Sequence, residues 1–175
     1  MGEHEKPSNR WVAWRKMFPK LVAELDYPMF VVTASAGGER AGCLVGFATQ
    51  TSIHPARFLV CISNKNHTYP VACSAPVLGV HLLSRAPRER ELAELFGSET
   101  GDEVDKLSGA SWHPGPSGVP LLEELPNRFV GRVVERLDLG DHTGFLLEPV
   151  EVEKGEELDG LSFQDVKDLE PGHGP

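Results

Sequence analysis

Ser63-Asn64-Lys65-Asn66-His67-Thr68 is a short stretch with the groups that bind an anion. It supplies one fixed cation, several hydrogen-bonding side chains and, if Thr68 opens a short helix, free backbone N–H groups. Such a cluster suits a phosphate. Upstream, Gly46, Ala48, Thr49, Gln50, Thr51 and Ser52 bring small side chains, hydroxyls and approachable backbone before His54-Pro55 turns the chain. Together they offer a ledge for a flat polar ring. The same residues also suit an ordinary hairpin whose polar side chains make turns and caps, because Ser, Thr and Asn often cluster between strands.

Two apolar runs must position these groups. Residues 40–47 are dense in Ala, Cys, Leu and Val, and residues 57–62 read RFLVCI; both have the look of short buried strands bounded by turn residues. A strand over 29–36 and the turn Gly37-Gly38 make a hairpin with the first of these runs. After Thr68 the pattern predicts a brief helix over 69–75 and a strand over 77–83. Pro87 then opens a helix with an apolar stripe of Leu92, Leu95 and Phe96, which Gly97 can end. The acidic stretch 99–108 is expected to add one turn, and 112–120 reads as an ordered Gly/Pro loop. Residues 127–139 and 143–152 read as two long antiparallel strands joined by Gly140-Asp141-His142.

At the start of the chain, Asn9 can cap a helix in which Trp11, Trp14 and Phe18 share a face, expected to pack on the main body or on a partner subunit. Pro19 should break that helix before a second turn through Leu25. The acidic end after Glu153 is expected to carry one helical turn near 164–169. Strands dominate and the helices between them follow no βαβ alternation. The fold class is therefore mainly β with peripheral α, an antiparallel closed or split β-barrel.

Composition narrows the function classes. With 175 residues and 40% apolar content the chain suits one domain with a core of its own. A net charge of −9 argues against a nucleic-acid partner and against an anionic membrane surface. Cys43, Cys61 and Cys73 form no CxxC pair and read as buried free thiols of a reducing cytoplasm. The first residues lack the layout of a signal peptide, and no apolar run reaches membrane-spanning length, so a cytoplasmic location is expected. GxGxxG, P-loop, HExxH and GxSxG motifs are absent, and His54, His67, His81, His113 and His142 lack metal-ligand spacing, so no metal is expected. Few residues are placed for covalent or acid/base work, which suits chemistry carried by a cofactor.

In order and spacing, Gly42 to Pro55, the strand that follows, the Ser63–Thr68 cluster and Gly140-Asp141-His142 resemble the flavin reductase family, over residues 28–152. The resemblance implies an FMN-binding Greek-key split barrel over 10–154, with polar tails at 1–9 and 155–175. It implies that Val45, Gly46, Phe47, Ala48, Thr49, Gln50 and Ser52 meet the flavin ring and ribityl chain, and that Ser63, Asn64, Lys65, Asn66 and Thr68 meet the phosphate. His81 falls where the family often has an Asn near the ring; a histidine satisfied within its strand is the alternative. His142 would serve catalysis on the nicotinamide side, or else only shape a hairpin. NAD(P)H would pass hydride to the flavin N5, in a homodimer that completes the site, with reduced flavin released or handed to a monooxygenase.

The chain departs from the family pattern at Val45-Gly46-Phe47-Ala48-Thr49-Gln50, which lacks the usual polar pair, and at His54-Pro55-Ala56 in place of Asp-Pro-Pro. Ring contacts there should rest more on backbone. FMN, FAD and the deazaflavin F420 thus remain alternatives, as do a flavin-binding electron-transfer module without turnover and a purely structural barrel.

Overall fold

Seven strands form one antiparallel sheet in the computed structural model, which describes residues 9–98, 105–170 and 172. In chain order the strands are β1 (Phe30–Ala36), β2 (Glu39–Val45), β3 (Ala48–Ser52), β4 (Arg57–Ser63), β5 (Val77–Leu82), β6 (Trp112–Pro114), β7 (Pro120–Leu122), β8 (Arg128–Asp138) and β9 (His142–Glu153). The main sheet runs β2-β1-β5-β8-β9-β4-β3, and β6 pairs with β7 in a separate hairpin. The helices are α1 (Asn9–Val22), α2 (Thr68–Ser74), α3 (Pro87–Ser98) and α4 (Phe163–Val166).

Alternation along β1 divides the core into two layers, because successive side chains of a strand point to opposite faces. Phe30, Val32 and Ala34 join Cys43, Ile62, Val80, Phe145 and the α2 residues Val71 and Ala72 in one cluster. Met29 and Val31 face the other way, against Leu92, Ala93 and Phe96 of α3 and against Leu122, Leu125 and Leu161. The predicted α3 stripe is thus the face that docks on the sheet, with Leu95 at its margin.

β2 and β3 lie on opposite edges of the sheet, yet only Gly46 and Phe47 separate them in sequence. Laid flat, the outer strands of seven would stand about 29 Å apart, six spacings of about 4.8 Å, whereas a two-residue connection spans at most about 10 Å. The sheet must therefore curl until its edges meet at this corner. Among the described residues no ladder joins β2 to β3.

Several expectations need correction. β3 is a strand where sequence pattern suggested only a polar shoulder: its Thr49, Gln50 and Thr51 are exposed on an edge, so no apolar alternation marks it. α1 continues through Pro19 to Val22 without the expected break. The residues around Pro19 are exposed, so the carbonyl that proline leaves unbonded can be hydrated. Trp14 and Phe18 are also exposed, 48% and 55%, and do not pack on the sheet, while the Trp11 side chain lies outside the described residues. Of the acidic stretch, 99–104 lies outside the described residues, and Lys106–Gly109 forms a 3-10 turn. Residues after Glu153, expected as a polar tail, are bonded into the fold. Leu161 is buried, its N–H donates to the Leu83 carbonyl at 2.8 Å, and its carbonyl accepts from Met29 at 2.9 Å. Among the described residues no helix is long and apolar enough to cross a membrane.

Candidate functional site

The corner where β2 hands over to β3 opens on a cavity of about 310 Å³. Val45, Gly46 and Phe47 form one side of it, Cys61, Ile62, Ser63 and His142 another, and Tyr27, Met29 and Phe163 a third. Gly46 is demanded by close approach: a Cβ there would sit 2.6 Å from Tyr27 Cε2 and 3.2 Å from Met29 Sδ. The Tyr27 ring is held in turn by stacking on Phe163, with centroids 4.8 Å apart and planes 18° apart. Burial, and then the neighbouring Asp26 carboxylate, push the Tyr27 phenol above its ordinary pKa.

Phe47 is 55% exposed, so the core does not use its ring. That ring lies 5.2 Å from the His142 imidazole and 6.1 Å from the Tyr27 ring. His142 Nδ1 stands 2.7 Å from Asp141 Oδ1. A carboxylate can only accept, so Nδ1 carries a proton, and in the neutral ring Nε2 is then the acceptor. The same hydrogen bond holds the Asp141 carboxyl below its usual pKa.

The Gly140-Asp141-His142 turn and the Ser63–Thr68 corner are locked together. Ser63 pairs with His142 across the β4–β9 ladder. The Asn64 backbone N–H donates to the Asp141 carbonyl at 2.9 Å, its side-chain amide donates to the Gly140 carbonyl at 3.1 Å, and its Oδ1 accepts from the Thr143 hydroxyl at 2.8 Å. Gly140, at φ +112°, takes a backbone conformation that favours glycine.

Of the predicted site residues, Val45, Gly46, Phe47, Ser63, Asn66 and His142 line the cavity. Ala48, Thr49, Gln50 and Ser52 continue away from it along β3, where the Gln50 amide donates to the Ser52 carbonyl at 3.2 Å. Lys65 is exposed, and its charge helps to lower the Asp141 pKa. Other members of the phosphate cluster are spent on structure. Asn66 Oδ1 accepts from the Thr68 N–H at 2.9 Å. Thr68 is buried, and its hydroxyl bonds the Cys43 thiol, whose pKa burial pushes up to about 11.

His81 is placed elsewhere. It is fully buried between strands; Nδ1 lies 3.1 Å from the Val31 carbonyl, and Nε2 accepts from the Leu122 N–H at 3.0 Å. Burial lowers its pKa to about 3, so it is a neutral core histidine with both ring nitrogens used. Sequence reasoning also missed the third wall. Tyr27 and Phe163 are far apart in the chain, and the available clue was Leu161-Ser162-Phe163 followed by Asp165, an apolar step with a capping box inside an acidic stretch.

The family model for the flavin reductase like domain matches residues 22–168. The chain belongs to the flavin reductase-like family. It is 26% identical over 153 residues to a ferric-chelate reductase (NAD(P)H) of Archaeoglobus fulgidus, covering 87% of this chain and 90% of that one. It is 25% identical over 149 residues to the FMN reductase (NADH) RutF of Stutzerimonas stutzeri, covering 85% and 84%. The fold matches that of an NADH:FAD oxidoreductase from Streptomyces globisporus solved in complex with NAD and FAD fragments. There the TM-score is 0.71 at 22% identity, covering 92% of each chain. Against that family background the corner fits the edge of a flavin. It has a glycine cradle that any Cβ would fill, aromatic rings at its sides, and a polar, cationic turn at one end.

Proposed function

We propose that this chain is an NAD(P)H-dependent flavin reductase whose flavin ring sits at the Gly46–Phe47 corner. The observation that carries the reading is the pairing of the exposed Phe47 ring with His142 over a cavity that Gly46 keeps open. The curled sheet is then a Greek-key split barrel, with its seam between β2 and β3. When bound, the flavin accepts hydride from the reduced nicotinamide.

The protein's part is binding, orientation and exclusion of water. Val45 and Gly46 present backbone to the ring edge, as expected of a segment without the usual polar pair. β3 guides the ribityl chain along Thr49, Gln50 and Ser52. Lys65 meets the phosphate as a point charge, and the Ser63–Thr68 turn is held in shape by the bonds of Asn64 and Asn66. His142 orients the nicotinamide: Asp141 fixes the proton on Nδ1 and leaves Nε2 as an acceptor. Geometry of approach supplies much of the rate.

FMN is the preferred flavin, in keeping with the FMN reductase relatives. The protein works as a homodimer in a reducing cytoplasm, where Cys43, Cys61 and Cys73 stay free. A partner such as a monooxygenase component would be the acceptor for the reduced flavin. Titration with FMN followed by anaerobic mixing with NADH or NADPH tests the reading. Bound flavin should bleach with at least one of the two; a yellow complex that neither bleaches is a flavin-binding module, and a protein that takes up no flavin has neither role.

A further inference from the structure

We propose that Asn64 is a positioning residue that couples the two halves of the site: a flavin phosphate on Lys65 sets the His142 turn, and with it the grip on the nicotinamide. The coupling rests on the flavin reading given above and gives the phosphate a role beyond affinity. Residues 63–69 form one self-bonded unit. The Lys65 N–H donates to Ser63 Oγ at 3.3 Å, and the Asn66 N–H donates to the Ser63 carbonyl at 3.0 Å. The Thr68 and Tyr69 N–H groups donate to Asn66 Oδ1 and to the Asn66 carbonyl, each at 2.9 Å. A phosphate held by Lys65 therefore orders the whole unit and not one side chain.

Asn64 makes its own bonds outside that unit, to the opposite turn. Its backbone N–H and side-chain amide donate to the Asp141 and Gly140 carbonyls, and its Oδ1 accepts from the Thr143 hydroxyl, at 2.9, 3.1 and 2.8 Å. His142 lies between the residues so held and pairs with Ser63 across the β4–β9 ladder. Asn64 is exposed, so bonds made in exchange for bonds to water contribute little net stability; what they fix is where the turn sits. Electrostatics add a second link. The Asp141 carboxyl is held below its usual pKa first by the His142 hydrogen bond and charge, and to a smaller degree by the charge of Lys65. Lys65 and His142 thus draw on one carboxylate. A phosphate takes up the Lys65 cation and leaves Asp141 to His142, which tightens the Nδ1 contact that orients the ring. Binding energy from a remote group thereby acts at the reacting end.

FMN and riboflavin differ only by the phosphate, so the pair isolates the coupling. NAD⁺ and NADP⁺ are titrated by calorimetry into full-length protein saturated with either flavin. For the nucleotide whose reduced form bleaches the flavin, wild-type affinity should be about 10-fold higher with FMN than with riboflavin, an ordinary size for coupled sites. By reciprocity that nucleotide should favour FMN over riboflavin by the same factor. Asn64→Ala, which removes both side-chain bonds at an exposed position, should melt close to wild type and bring the ratio to about one. Thr143→Val, which removes one of the two, should lose part of it. Anaerobic reduction at saturating nucleotide should follow the same pattern, with FMN faster than riboflavin in wild type and the two equal in Asn64→Ala. A merely structural Asn64 would lower the values for both flavins alike and keep their ratio, which overturns the proposal. A wild-type ratio near one, or a Thr143→Val ratio equal to that of wild type, overturns it too. If both flavins bind and bleach at a ratio of one, the coupling falls and the reductase reading stands; if neither flavin binds, both fall.

Discussion

Substituting Gly46 by alanine tests how tightly the corner is built. The added Cβ would lie 2.6 Å from Tyr27 Cε2 and 3.2 Å from Met29 Sδ, so the tyrosine must retreat by about 1 Å to reach an ordinary contact of about 3.5–4.0 Å. Neither neighbour yields freely, since Tyr27 is stacked on Phe163 and Met29 is buried. Overpacking of this kind costs about 1–3 kcal/mol. The φ of Gly46 lies outside the left-handed region, so the stiffer unfolded chain returns about 0.4–1 kcal/mol. A net loss of about 0–2.6 kcal/mol is expected in urea unfolding. Because the displaced ring is a wall of the cavity, FMN affinity should fall about tenfold, and removing the ring should relieve the clash. In a Tyr27→Ala background, Gly46→Ala should therefore be nearly neutral, with a coupling of about 1–2 kcal/mol between the two positions. Equal stability of Gly46→Ala and wild type, with no coupling to Tyr27, would refute the reasoning.

Lys65→Ala should weaken FMN far more than riboflavin in parallel titrations; an equal loss for both would remove Lys65 as the phosphate partner. Asp141→Ala should lower the rate of anaerobic flavin reduction while leaving FMN affinity close to wild type, because it removes the acceptor that holds the His142 ring and leaves the flavin ledge in place; a loss confined to FMN binding would place Asp141 elsewhere in the mechanism. His81→Leu should destabilise the fold by about 2–5 kcal/mol, since it strands the buried Val31 carbonyl and Leu122 N–H. His81 is neutral when folded, with its pKa lowered from 6.5 to about 3, so the unfolded chain binds the extra proton in between. Stability is then full above pH 6.5 and declines toward pH 3. The contribution is about 2–3 kcal/mol by two pH units below 6.5, and His81→Leu should lack this part of the acid loss in pH-dependent unfolding.

The elements most legible in the sequence were those whose side chains meet a single apolar surface. The runs that became β1, β2, β4 and β5 are mostly apolar because they are buried, and α3 shows Leu92 and Phe96 one turn apart because they press on one layer of the core. β3 was not legible, since an exposed edge of Thr and Gln carries no buried face to set a period. The site divides the same way. Gly46, Phe47, Ser63 and His142 lie close to turns with strong local chemistry, and the fold brings them to one cavity. Tyr27 and Phe163 reach it only through the bridge that pairs Pro28 with Ser162, a long-range contact with no local trace. His81 misled because a buried histidine and a ring-facing one have the same strand pattern; only the partners of its two nitrogens separate them. Asn64 and Thr68 are polar enough to bind phosphate, but their bonds to Gly140, Thr143 and Cys43 are set by tertiary placement.

Anaerobic stopped-flow of the FMN-loaded protein against NADH and NADPH, followed at the flavin's visible band, tests the central claim most directly. Wild-type protein should bleach far faster than free FMN at the same nicotinamide concentration, and Gly46→Leu, which fills the cradle, should lose that advantage. Bleaching no faster than free FMN with either nucleotide, or an unimpaired Gly46→Leu, would contradict a reductase built on this corner.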